Sequence, residues 1–124
     1  MTTPEEVLEK IQKLIDQNPQ YKFEAYSFIL AALHFMMSSL PQPRHITGQE
    51  FCEGIRRYAV DQFGPLARTV LEYWGIKETL DFGKLVFALV DIGLMKKTEE
   101  DSLADFKDAY DFKMAFDNKL IFDS

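Results

Sequence analysis

Residues 23–40 read FEAYSFILAALHFMMSSL, and the reading of this stretch decides the fold. From Ala25 to Met37 only Ser27 and His34 are polar. The run is longer than a typical strand, and Ala25, Leu30, Ala31, Ala32, Leu33, Met36 and Met37 are good helix formers. Ile29 is its one β-branched residue, and it holds no Gly or Pro. A surface helix would carry a polar stripe, which is nearly missing here. The stretch therefore reads as a central helix over 22–40, buried nearly all round, with His34 hydrogen-bonded inside the core. Its apolar part falls short of the ~20 residues a bilayer span needs. Pro41 and Pro43 stop it.

Outward from this helix, local signals place the others. Thr3-Pro4-Glu5-Glu6 offers an N-cap, a first-turn proline and a capping-box glutamate, starting a helix over 3–17. Val7, Leu8, Ile11, Leu14 and Ile15 form its apolar stripe, and Asn18-Pro19 ends it. After the stiff Pro41–His45 linker comes the clearest start in the chain. Thr47 caps, Glu50 answers it, and Ile46 and Phe51 stand at the hydrophobic-staple positions of a helix over 47–63. Phe51, Ile55, Tyr58 and Ala59 face inward on it; Glu53, Arg57 and Asp61 face water, and Arg56 sits at the edge, able to reach into a groove.

Gly64-Pro65 opens a helix over 65–74 that closes at Gly75, and Thr79 begins one over 79–92 that closes at Gly93. Thr98 to Asp101 suggests a sixth helix over 99–110, followed by a tail over 111–124. The expectation is an all-α, single-domain, compact bundle of about six helices, with Phe28, Leu33, Leu85, Val86 and Leu89 in its core. A winged-helix-like hairpin after the fifth helix is the variant form.

Composition narrows the function classes. With 124 residues, 47% of them hydrophobic and 11 of them Phe, one domain can form a core without staples. Its one cysteine, Cys52, permits no internal disulfide, which suits a reducing cytoplasmic setting. No signal peptide is visible, and no membrane partner is expected. Residues 98–124 hold 3 basic and 8 acidic groups, so most of the net charge of −6 sits there. Such a protein is a poor non-specific binder of nucleic acid, which needs clustered Lys and Arg.

Four runs stand out together: Arg44-His45-Ile46-Thr47-Gly48-Gln49-Glu50, QFGPLARTVLEYWGI from Gln62, DFGKLVFALVDIGL from Asp81 and KTEEDSLADF from Lys97. They resemble a small bacterial conserved protein family without assigned function. The resemblance spans roughly residues 21–116. It implies no activity, cofactor or catalytic residue.

Residue chemistry offers few sites. Arg44 and His45 stand just before the third helix, where free amides favour an anion. Two histidines and one cysteine are thin for zinc, and no phosphate loop, serine elbow or dinucleotide fingerprint is present. No metal or other cofactor is expected. Cys52, near a helix start, needs His45 or His34 as a base to act as a nucleophile. Asp101, Asp105, Asp108 and Asp111 recur every three or four residues and read as a solvated acidic face. The fourth and fifth helices have helix-turn-helix spacing, but the outer face of the fifth carries Asp81, Lys84, Ala88 and Asp91, a poor set for reading DNA. The reading is thus a cytoplasmic protein-interaction or regulatory module without catalytic activity, meeting a protein partner through Arg44, His45, Arg56 and Trp74. Arginine and aromatic residues are enriched at such anchors. The alternatives are a winged helix-turn-helix regulator and an enzyme built on Cys52 and His45.

Overall fold

Cap chemistry sets the helix ends in the computed structural model, which describes residues 3–96 and 102–117. α1 spans Pro4–Gln17, and the Thr3 hydroxyl accepts from the Glu6 amide at 3.1 Å. α2 spans Phe23–Ser39 and α3 spans Gly48–Phe63. At the start of α3 the Thr47 hydroxyl accepts from the Glu50 amide at 3.1 Å while the Glu50 carboxylate accepts from the Thr47 amide at 3.2 Å. A 3-10 turn over Gly64–Leu66 leads into α4, Ala67–Tyr73. Gly75 closes α4 with φ +96°, and Ile76 N–H donates to the Leu71 carbonyl at 2.9 Å. A Cβ at Gly75 would also lie 2.2 Å from the Gln20 carbonyl oxygen, so only glycine lets the α1–α2 loop pass here.

α5 spans Thr79–Asp91 and ends at Gly93 with the Schellman bond from Leu94 N–H to the Leu89 carbonyl at 2.9 Å. Its cap is Glu78, one residue before Thr79, with Asp81 as the reciprocal partner. A 3-10 turn over Leu103–Phe106 and the one-turn α6, Phe112–Phe116, complete the described chain.

The chain is all-helical, a compact bundle with no strand among the described residues. α2 packs on α1, α3 and α5, and α4 and α6 pack on α3 and on each other. Among the described residues five helices exceed two turns or come close to it, and the expected sixth over 99–110 is not one of them. Residues 97–101 lie outside the described residues; from Ser102 on, the chain makes a 3-10 turn and then a turn at Asp108, whose φ is +52°. Two of the carboxylates spaced like a helical face are local caps. Asp105 accepts from the Ser102 amide at 3.0 Å and Asp111 from the Met114 amide at 3.0 Å. The expected hairpin is likewise missing from the described residues, and part of it falls on 97–101.

Phe28, Leu85 and Leu89 are buried as expected, but Leu33 and Val86 are only half-buried. The reason lies in α2. Its first half, with Ala25, Tyr26, Phe28, Ile29 and Ala32, is the buried part. Its second half still packs on α3, through Phe35 on Tyr58 with ring centroids 5.1 Å apart and Met36 beside Gly54, but leaves His34, Phe35 and Met37 exposed. The helix is therefore not buried all round, and His34 is not a core residue. Asp81 departs the other way: it is 4% exposed, not on an outer face. The Tyr21 hydroxyl donates to it at 2.5 Å, and the Lys77 and Glu78 amides donate at 2.8 and 3.1 Å. Burial, then the hydrogen bond to Asp81, push the Tyr21 hydroxyl pKa far above its ordinary value of 10.0.

Candidate functional site

A groove of about 540 Å³ opens between the second half of α2, the start of α3 and the end of α5. Leu33 and Met37 come from α2, and Val86 and Phe87 from α5. Ile46 and Phe51, the staple pair of α3, form the wall opposite. Leu94 and Met95 of the turn after α5 close one end, and Phe106 lies at the back. Polar lining comes from Arg44, His45, Thr47 and Lys96. The volume and the mostly apolar lining with a few polar groups are those of a binding cleft.

The polar rim is held firmly. Arg44 donates to both Glu50 carboxylate oxygens, at 3.2 and 2.8 Å, and to the His45 carbonyl at 2.9 Å. Glu50 also closes the α3 capping box, so one carboxylate fixes both the helix start and the linker that walls the groove. The hydrogen bond from Arg44, with that from the Thr47 amide, holds the Glu50 carboxyl down to about 2. Burial of Phe106 against α5 depends on Gly83, where a Cβ would meet its ring at 2.8 Å.

The four residues singled out from the sequence divide. Arg44 and His45 line the groove; Arg56 and Trp74 do not. Arg56 reaches back to Glu53 on its own helix, at 2.6 Å from Nη2, and each holds the other charged. Trp74 packs on Phe28 and Phe63, with ring centroids 5.8 and 5.5 Å apart. It borders a separate shallow hollow of about 300 Å³ between α2 and α3. Arg57 pairs with Glu53 at 3.4 Å, and Arg68 holds Asp117 of the acidic segment at 2.8 Å.

Cys52 is fully buried and outside the groove lining, and burial pushes its thiol up to about 12. His45 lines the groove while His34 is exposed on α2, so the groove brings no histidine and thiol together. Among the described residues no three His, Cys, Asp or Glu are placed to hold a metal ion, and no helix is long and apolar enough to cross a membrane. On α5 only Lys84 and Asp91 of the expected outer set are exposed; Ala88 is half-buried and Asp81 is inside.

Sequence reasoning missed the groove's apolar floor because its residues come from four separate segments. It also missed Thr79, which is no cap. Its buried hydroxyl donates to the Phe106 carbonyl at 2.6 Å and accepts from the Ala109 amide at 3.0 Å, tying the C-terminal strap to α5. Comparison with protein-family models, curated proteins and solved structures finds no match. The functional reading therefore rests on the chain's own geometry.

Proposed function

We propose that this chain is a small non-catalytic binding module, and that a segment of a partner protein seats apolar side chains in the groove between α2, α3 and α5. The groove itself carries the reading. It leaves Met37 38% exposed, on one lining with the half-buried Leu33 and Val86. A concave, mostly apolar lining with a few polar groups suits the seating of partner side chains. Met37 and Met95 suit the role, since unbranched thioether side chains adapt to what they meet. Cys52, the best nucleophile type in the chain, lies buried with its thiol held protonated, which favours binding over chemistry. A cytoplasmic setting accords with that single buried thiol.

The test is affinity capture from the native cell with three baits: the wild-type chain, the groove double variant Met37→Gln/Met95→Gln, and Tyr73→Ser as a remote surface control. A stoichiometric partner held by the wild type and by Tyr73→Ser, and lost from the double variant, is the expected result. A partner held equally by all three baits would place the interface elsewhere.

A further inference from the structure

We infer that the partner segment is an amphipathic α-helix whose apolar face is flanked by carboxylates; the inference rests on the groove reading above and says what fills it. Charge supplies the first argument. The chain has 20 acidic residues against 14 basic ones, yet among the described residues no Asp or Glu lines the groove, while Arg44 and Lys96 do. Glu50 stands close by but is engaged by Arg44 and the α3 cap. Three contacts of the Arg44 guanidinium go to Glu50 and the His45 carbonyl, and with five N–H donors it has capacity for a further carboxylate. Basic groups on a rim attract carboxylates and repel ammonium groups, so they select between flanks while the floor supplies the burial.

Backbone satisfaction supplies the second argument. An extended segment would need a strand edge to take its amides and carbonyls, and among the described residues there is none. The walls are mostly helix, whose backbone groups are paired within α2, α3 and α5, and in the linker over 44–47 the His45 carbonyl and the Thr47 amide are taken by Arg44 and Glu50. A helix satisfies its own backbone and offers apolar anchors at i, i+3 or i+4 and i+7, which is what a side-chain-lined groove can receive.

The experiment uses two synthetic helices of about 18 residues, past the ~12–15 below which isolated helices are marginal. They share the same leucine anchors and differ in flanks, one Glu and one Lys. Fluorescence anisotropy with the full chain should give saturable one-to-one binding of the Glu helix. The Lys helix should bind about tenfold more weakly, and the gap should close in ~1 M salt, where the Debye length is ~3 Å. Lys96→Glu, an exposed change, should narrow the gap by about threefold. Met37→Gln/Met95→Gln should weaken both helices alike. Equal affinity for both helices, lost in the double variant, would overturn the acidic partner and leave the groove reading standing. Binding of neither helix, with saturable uptake of a dansyl-labelled long-chain carboxylate, would assign the groove to a small amphiphile and overturn both. So would a concentration-dependent dimer that the double variant abolishes.

Discussion

Replacing Asp81 by Ala should destabilise the chain by ~2–5 kcal/mol, and the figure follows from what the carboxylate holds. One oxygen accepts from the Tyr21 hydroxyl and, more weakly, from the Gln20 side-chain Nε2 at 3.3 Å. The other accepts from the Lys77 and Glu78 amides and so caps α5. Tyr21 is 2% exposed, so its orphaned hydroxyl loses its partner with little water to replace it, a cost of ~1–3 kcal/mol. Losing the cap adds ~0.5–2 kcal/mol, moderated because Lys77 and Glu78 are exposed and their amides can rehydrate. Tyr21→Phe alone should cost ~1–2 kcal/mol, because Asp81 keeps its two backbone donors. The pair should not add: the double variant should fall short of the sum by ~1–3 kcal/mol, since the shared bond is lost once. Urea unfolding, followed by fluorescence of the single Trp74 and by circular dichroism, measures all three. Additive effects, or an Asp81→Ala cost under ~1 kcal/mol, would refute the clamp.

Other perturbations separate the remaining parts of the account. Thr79→Val keeps the side-chain shape but strips the Phe106 carbonyl and Ala109 amide of their shared partner; ~2–3 kcal/mol should be lost in urea unfolding, whereas a capping role alone would cost about 1. Leu85→Ala should cost ~2–5 kcal/mol as a fully buried truncation, with Leu33→Ala clearly less because it is half-buried at the groove; equal losses would show the groove to be closed. Alkaline pH should destabilise the chain. Cys52 titrates near 9.0 when unfolded and at about 12 when folded, so its contribution is complete below pH 9 and disappears as pH rises toward 12. The pH slope of stability in that window should be shallower in Cys52→Ala by at most ~1.4 kcal/mol per unit, and an unchanged slope would contradict the burial of the thiol.

Where a signal is local in sequence, it was legible. Thr3-Pro4, the Thr47–Glu50 box and the glycines at 75 and 93 each act on residues within one turn, and the helix ends fall where they point. The failures share one cause, contacts made across long sequence separation. Asp81 has the spacing of an outer-face residue until Tyr21 and Gln20 arrive from some 60 positions earlier. Thr79 resembles a cap until Phe106 and Ala109 fold over it. The uniform apolarity of α2 does not reveal which side of its second half stays uncovered, so Leu33 and His34 were misplaced together. In the acidic segment, Asp105 and Asp111, spaced like a helical face, each cap their own short turn. The Arg44–His45 pair announced the rim of the site, but its floor exists only when α2, α3 and α5 meet.

The groove is the centre of this account, and an amide correlation spectrum of the nitrogen-15-labelled chain, titrated with the Glu-flanked helix, tests it residue by residue. Shifts should gather at residues 33–37, 44–51 and 86–96, the walls and rim of the groove. Residues 67–73 of α4 and the separate hollow beside Tyr58, Phe63 and Trp74 should stay unmoved. Shifts centred on that hollow, or no shifts at saturating helix, would contradict it.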